Sequence, residues 1–298
     1  MVPNFLIAGA PRCGTTALSE YLRSHPAVFF SEPKEPHFFA TDLARHRAVG
    51  SLDAYLKLFS EAGQQHLAVG EGSVFYLYSR DAISNIRAVN PDARIIVMLR
   101  NPVDLCYSLH AHLQLSFYET EPNFESAWRL MSARSLVEHC PSTCPEPALL
   151  QYQKIASLGE QMDRLFSLFP KDQVLAIVFD DFCRSPRATY ARVLKFLGIE
   201  IDSRSEFPVI NQSRGQRARW VGRFSRPAGR LSKSLGTIRR GLGLPPLGLV
   251  DRFYHSNMEP TARPPLTGMF RRELNDAFRG DVKRLSQAVG RDFSSWVT

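Results

Sequence analysis

A chain of 298 residues with 44% hydrophobic content can bury a full core, and one large α/β domain is its simplest arrangement. No apolar run approaches the roughly 20 residues that cross a bilayer, and no charged start leads into an apolar signal core, so a cytoplasmic protein is expected. The net charge is +8, and the five cysteines, Cys13, Cys106, Cys140, Cys144 and Cys183, are odd in number and scattered, which suits reduced thiols rather than a disulfide framework or a metal cluster.

The first predicted elements are a strand over residues 4–9 and a helix over 15–24, joined by Ala10-Pro11-Arg12-Cys13-Gly14. Such a loop turns backbone N–H groups and the positive end of the helix dipole toward one point, which suits an anion. Gly9 and Gly14 permit the tight turn, and Thr15 and Thr16 can cap the helix and donate hydroxyl hydrogen bonds. The spacing is close to the triphosphate loop G-x-x-x-x-G-K-[ST], but Thr15 stands where the lysine belongs and the cation is Arg12, inside the loop. A kinase or ATPase sets that lysine on phosphates and the next hydroxyl on magnesium, so metal-dependent chemistry loses its main support and no metal is expected. Without a ligand, the same residues read as a strand–turn–helix corner. Pro11-Arg12-Cys13-Gly14-Thr15-Thr16-Ala17-Leu18 resembles the 5′-phosphosulfate loop P-[KR]-x-G-T-[TS]-x-L of the sulfotransferases that use 3′-phosphoadenosine 5′-phosphosulfate. That resemblance implies that Arg12, Cys13, Gly14, Thr15, Thr16 and Ala17 bind this donor.

The next informative stretch is Ser31-Glu32-Pro33-Lys34-Glu35-Pro36-His37-Phe38-Phe39. Sulfuryl transfer to a hydroxyl needs a base for the acceptor's proton and cations for the charge on the leaving phosphate, and both types are present. The segment resembles the E-x-H-F-F box of heparan sulfate sulfotransferases and many bacterial relatives, which implies that Glu35 is the catalytic base, with Lys34 beside it. His37 competes for that role because its ordinary pKa lies nearer neutrality; Glu35 would need a pKa raised by burial or by the donor's negative charge. Pro33 and Pro36 hold the loop extended. The bland alternative is a solvated Lys34–Glu35 pair, with His37 packed on the phenylalanines.

A helix is predicted near 51–60 and a short strand at 67–70, followed by Glu71-Gly72-Ser73-Val74-Phe75-Tyr76. The same relatives read E-K-[ST]-P-x-Y there, so Gly72 stands in the lysine's place and Val74 in the proline's. Arg12 first, then Lys34, are the replacements on offer, and Glu71 or Ser73 can orient one of them or face the acceptor. A helix near 79–89 leads to a strand at 95–99, an apolar run of the kind buried on both faces of a parallel sheet. This βαβ series predicts a parallel sheet, with ligands outside the carboxyl ends of its strands, where Arg100 stands. A triphosphate enzyme would place a magnesium-binding aspartate there, whereas an arginine suits a phosphate. Pro102 opens a helix and Ser108 falls on its second turn. Arg100-Asn101-Pro102 with Ser108 is similar to the family's second nucleotide motif, R-[DN]-P-x(4–5)-S, which implies that Arg100 and Ser108 bind the donor's 3′-phosphate. The alternative for Arg100 is a salt bridge to Asp104.

Residues 114–147 interrupt the alternation and read as helices and loops over the acceptor cleft. A long helical stretch at 148–168, a strand at 174–179 and a helix at 187–197 ending at Gly198 restore it, similar to the strand and F-L-G helix that close the family's nucleotide half. Between Phe207 and Val250 there is no acidic residue, yet Arg214, Arg217, Arg219, Arg223, Arg226, Arg230, Lys233, Arg239 and Arg240 supply nine positive charges. Residues 212–262 are therefore read as a basic segment that closes over the donor and steers an anionic acceptor. In the family a region after Asn-x-Ser, here Asn211-Gln212-Ser213, returns to the 3′-phosphate, which makes Arg214, Arg217 and Arg219 candidates. Trp220, Phe224 and Leu231 among the cations also fit peripheral membrane contact, and a solvated basic linker is the third reading. In the tail, Leu266, Phe270, Leu274, Phe278, Val282, Leu285 and Val289 recur at helical spacing as one amphipathic face, and Asp292-Phe293-Ser294-Ser295-Trp296 resembles the family's closing element.

The combined expectation is a single α/β domain over residues 1–298, a P-loop-like parallel sheet flanked by helices. It would move a sulfuryl group from 3′-phosphoadenosine 5′-phosphosulfate to a hydroxyl of a carbohydrate, glycolipid or other small metabolite, with no metal and no nucleic-acid partner. The rivals are a small-molecule kinase using ATP and magnesium, and a non-catalytic basic protein that binds nucleic acid or a membrane with steep salt dependence.

Overall fold

Five runs of apolar residues pair into one parallel sheet: β1 (Phe5–Gly9), β2 (Val28–Phe30), β3 (Ala68–Glu71), β4 (Arg94–Leu99) and β5 (Val174–Val178), in the order β2-β3-β1-β4-β5. This is a computed structural model, and it describes residues 1–210, 214–216, 258–260 and 264–298. Phe5 lies opposite Gly70 on β3 and Arg94 on β4, while Val97 lies opposite Ala176 on β5. All five residues of β1 and Ile95 to Leu99 of β4 are buried, because helices cover both faces of the sheet. The strand order reverses between β1 and β4, so the loops leaving these two strands open toward a shared crevice.

The helices are α1 (Thr15–Arg23), α2 (Leu52–Lys57), α3 (Ala82–Val89), α4 (Pro102–Leu115), α5 (Phe124–Arg129), α6 (Met131–Ser135), α7 (Tyr152–Ala156), α8 (Leu158–Leu168), α9 (Phe179–Arg184), α10 (Pro186–Leu197) and α11 (Gly268–Val289). Two differences from the sequence reading have physical causes. The three residues of β2 are too few to show alternation, and they pair only at the sheet's edge. The long helix expected at 148–168 is a 3₁₀ turn (Pro147–Leu150) followed by α7 and α8, with breaks at Gln151 and Ser157, where ψ is 69° and 68°. The break frees the first N–H groups of α8, and the Asp281 carboxylate on α11 accepts from Gly159 N at 2.8 Å and Glu160 N at 2.9 Å. One helix thus caps another.

α11 buries Phe270, Leu274, Phe278, Val282 and Leu285 as its periodicity requires, with Leu266 and Val289 half-buried at its flanks. Beyond it, the Trp296 carbonyl accepts from Asn101 Nδ2 at 2.8 Å, and Asn101 caps α4 by accepting from Val103 N at 2.9 Å. The chain's last residues therefore hold the entry of the helix that carries Ser108. The interruption at 114–147 contains α5 and α6, tied inward by a buried Glu119–Arg134 pair. β6 (Arg214–Gln216) and β7 (Met258–Pro260) form an antiparallel ribbon. Among the described residues no helix is long and apolar enough to cross a membrane.

Candidate active site

The N-terminus of α1 is open to a ligand. Its N-cap is Gly14 in the left-handed region (φ 84°), and no side chain accepts from the first turn, so Thr15 and Thr16 do not cap it as the sequence suggested. Orphan N–H groups at the positive end of a helix are an anion site in waiting. Only glycine suits position 14, since a Cβ there would also meet the Phe179 ring at 3.1 Å. Thr15, Cys13 and Ala17 turn inward and are buried, leaving Arg12, Gly14 and Thr16 partly exposed. Burial pushes the Cys13 thiol up to about 12 against the lowering influence of Arg100 and Arg12, so a neutral thiol donates to the Pro11 carbonyl and offers a donor only its backbone.

The loop before α1 and the segment from Arg100 to Ser108 meet across the β1–β4 crevice. Arg12 Nε donates to Ser108 Oγ at 3.2 Å, and the Arg12 carbonyl accepts from Arg100 Nη1 at 2.8 Å. Arg100 also lies over the Phe179 ring, 4.6 Å from its centroid, a cation–π contact that fixes the guanidinium. The salt bridge weighed between Arg100 and Asp104 is not made: Asp104 pairs with Arg271 of α11 at 3.4 Å.

The loop after β2 brings a carboxylate and a cation to the same place. Lys34 Nζ stands 3.4 Å from Thr16 Oγ1 and 2.7 Å from Glu35 Oε1, and Glu35 Oε2 is 3.4 Å from His37 Nε2. Burial, the largest influence on Glu35, opposes its charge, but His37 and Lys34 together outweigh it and pull the carboxyl down to about 2. The raised pKa that the role of base would need in Glu35 is thus absent here, because the Lys34 ammonium donates to it and His37 stands beside it. His37 is 2% exposed and held at φ 49°, its N–H donating to Ser73 Oγ at 2.9 Å. At 3.4 Å the Glu35 contact is electrostatic rather than a well-formed hydrogen bond, and both ring nitrogens are buried without a hydrogen-bond partner. Phe75 at 5.7 Å and His46 at 4.7 Å flank the ring.

Two site histidines escaped the sequence reading. His46 is lowered to about 4 by burial and by His37, and His112 to about 4 by burial and by Arg12, with Lys34 adding to the effect and Glu35 opposing it. Both are neutral at pH 7. His112 follows Ser108 by four residues, one helical turn along the same face of α4, and that spacing was the available signal. His46 carries no such signal.

Glu71 and Ser73 do not face an acceptor. Glu71 is fully buried and pushed up to about 8 by that burial, against hydrogen bonds from Tyr76, Ser73 and Tyr55. Ser73 Oγ donates to Glu71 Oε2 at 2.8 Å while accepting from His37 N, and Gly72 N donates to the Lys34 carbonyl at 3.2 Å. The end of β3 therefore brackets Glu35 with two hydrogen bonds. A Cβ at Gly72 would stand 3.2 Å from the Phe30 ring and 3.3 Å from Ser19 Oγ, so a side chain here requires these neighbours to give by a few tenths of an ångström. Overpacking a core costs about 1–3 kcal/mol. Gly72→Ala is accordingly expected to lower the melting temperature by several degrees and leave nucleotide affinity intact; an unchanged melting curve would show that Phe30 yields.

Arg217 and Arg219 lie outside the described residues, and Arg214 is described only as backbone in β6. Among the described residues no three histidine, cysteine or acidic side chains gather to hold a metal.

Residues 2–220 match the model of the sulfotransferase domain. The chain belongs to the sulfotransferase family. It is 28% identical over 271 residues to human carbohydrate sulfotransferase 15, covering 73% of this chain and 47% of that protein. With human heparan sulfate glucosamine 3-O-sulfotransferase 6 it shares 28% identity over 231 residues, 74% of this chain and 62% of that one. The chain spans about half the length of the first of these curated relatives. The crystal structure of a sulfotransferase from Alicyclobacillus acidocaldarius superposes with a TM-score of 0.72 at 26% identity, covering 100% of both chains. The parallel sheet flanked by helices described above matches the fold of that sulfotransferase.

Proposed function

We propose that this sulfotransferase moves a sulfuryl group from 3′-phosphoadenosine 5′-phosphosulfate to a hydroxyl of a carbohydrate, glycolipid or other small metabolite, with Glu35 as general base. The observation that carries the reading is the joining of the two phosphate motifs, Arg12 to Ser108 and Arg100 to the Arg12 carbonyl, beside the Lys34–Glu35–His37 cluster. The names of the carbohydrate and heparan sulfate relatives favour a sugar hydroxyl among the acceptors.

The transfer is in line. The acceptor oxygen attacks sulfur, the bond from sulfur to the 5′-phosphate oxygen breaks, and the acceptor proton passes to Glu35. Arg12 and the free N–H groups of α1 take up the charge that gathers on the leaving phosphate, and Arg100 and Ser108 hold the 3′-phosphate. Lys34, already beside Thr16 in the loop, supplies the second cation near the reacting group. An anionic donor competes with Glu35 for Lys34, and a carboxylate relieved of that partner becomes a stronger base.

A charge-assisted hydrogen bond is worth about 1.5–3 kcal/mol. Arg100→Ala is therefore expected to weaken calorimetric binding of adenosine 3′,5′-bisphosphate about ten- to hundredfold. Equal affinity in variant and parent removes Arg100 from the site. The acceptor is found by following labelled sulfate from the donor into a host extract and identifying the product by mass. A magnesium requirement, with ATP bound more tightly than the bisphosphate, would overturn the assignment in favour of a kinase.

A further inference from the structure

Three hydroxyls converge on a carboxyl sealed beneath the loop that carries Glu35. Glu71, at the end of β3, has no exposure; its Oε2 accepts from Ser73 Oγ at 2.8 Å, its Oε1 from the Tyr55 hydroxyl at 3.4 Å, and the Tyr76 hydroxyl adds a third bond. Each of the three residues also touches the loop above. Ser73 Oγ accepts from His37 N at 2.9 Å, Tyr55 stacks on Phe38 at 4.7 Å between ring centroids, and the Tyr76 hydroxyl accepts from Phe39 N at 3.4 Å. His37, at φ 49°, lies in the left-handed region, which a non-glycine residue keeps only where its surroundings impose it. Its Nε2 stands 3.4 Å from Glu35 Oε2.

A hydroxyl has one proton to give. Ionised Glu71 takes all three, which leaves Ser73 and Tyr76 to present lone pairs to the N–H groups of His37 and Phe39. In its acid form Glu71 must itself donate, so one of the hydroxyls has to turn its proton away. Burial above all, with the charge of Glu35 adding to it, pushes Glu71 up to about 8 against the hydrogen bonds from Tyr76, Ser73 and Tyr55, so the switch between the two forms falls just above neutral pH. The titratable groups that face it are Tyr55 of α2, Tyr76 of the segment after β3 and Glu35 of the loop above; its strand neighbour on β1 is Leu6. Because the Glu35 charge helps to hold the proton on Glu71, a charge on Glu71 helps Glu35 to take one.

We propose that Glu71 is a positioning residue for sulfuryl transfer: ionised, it draws down the Ser73 and Tyr76 hydroxyls, holds the main chain of His37 and Phe39 above them, and strengthens Glu35 as a base. The proposal rests on Glu35 being that base and adds a control on it, transfer that quickens as Glu71 loses its proton. A residue that served packing alone could be a glutamine, with no charge to bury.

The test compares the full chain with its Glu71→Gln variant, whose amide stands in for the acid form, in single-turnover transfer from saturating labelled donor to a heated host extract. The parent's rate is expected to climb several-fold as pH rises through about 8, and the variant's is not, so that the two converge in acid and part in alkali. A merely structural Glu71 gives a gap of one size at every pH; that result, or an equal climb in both, overturns the proposal. Folding is checked by melting. The folded pKa of Glu71 is raised, so the parent loses stability as pH rises from the ordinary carboxylate range toward about 8, and the variant, spared that loss, should melt at the same temperature or higher. A readout that needs no acceptor is the carbon-13 carboxyl resonance of Glu35 in the complex with adenosine 3′,5′-bisphosphate, assigned by its loss in Glu35→Gln. It should shift as pH passes about 8 in the parent and stay flat in Glu71→Gln; a flat resonance in the parent overturns the proposal. Glu35→Gln at the parent's rate would count against the assignment of the base, whereas a slow Glu35→Gln beside a Glu71→Gln that follows the parent at every pH would count against Glu71 alone.

Discussion

Replacing Glu35 with glutamine is expected to slow sulfuryl transfer by about 10²–10⁴-fold, the contribution of a positioned general base, while leaving the affinity for adenosine 3′,5′-bisphosphate equal or tighter. The substitution keeps the size of the side chain and its place between Lys34 and His37 but removes the acceptor for the proton. It also removes the negative charge that holds Lys34 at 2.7 Å, so Lys34 becomes free to meet an anionic donor. Single-turnover kinetics with saturating donor separate the two effects, since only the chemical step should slow. Turnover equal to that of the parent would transfer the role of base to His37, whose buried ring has both nitrogens free of hydrogen bonds. His37→Ala would then carry the large loss.

The sheet was legible because β1 and β4 are buried on both faces, and a strand shielded from water on both sides is written as a continuous apolar run such as Ile95 to Leu99. The turn before α1 and the start of α4 were legible because both depend on backbone geometry, and Gly14 and Pro102 leave plain marks on a sequence. Other features depend on distant partners. The break between α7 and α8 is capped by Asp281, more than a hundred residues away, and local propensity cannot report it. The low pKa of Glu35 arises from the way its own loop turns Lys34 and His37 onto one carboxylate, and the raised pKa of Glu71 from burial of the end of β3 under Tyr55 and Tyr76; neither orientation can be read from the residue types alone. A glutamate in a loop and a glutamate at a strand end look equally exposed in the chain, yet one lines the crevice and the other is sealed under Tyr55 and Tyr76.

Arg134→Met should be the most destabilising change outside the crevice. Arg134 is 1% exposed, and it grips Glu119 with two hydrogen bonds, Nη1 to Oε2 at 2.6 Å and Nη2 to Oε1 at 2.7 Å. Tyr152 adds a third to Oε2 at 2.6 Å. Burial, the largest influence on Glu119, opposes its charge, but Arg134 and Tyr152 outweigh it and hold the carboxyl below its usual range. Removing one partner of a buried pair costs about 3–5 kcal/mol because the other charge is left uncompensated, which corresponds to a fall in melting temperature on the order of ten degrees. The double variant Glu119→Leu/Arg134→Met should recover part of that loss, whereas additive losses would mean that packing, not charge, sets the cost. Since the folded pKa of Glu119 is depressed, the pair's contribution is full above the unfolded carboxylate pKa and is lost as pH falls through the folded one. The gap in stability between parent and Arg134→Met should therefore narrow in acid. Leu113 at the end of α4 accepts from the N–H groups of Tyr118 and Glu119, so the same pair steadies the helix that presents Ser108 and His112. Transfer activity should accordingly survive at low temperature and disappear with the melt.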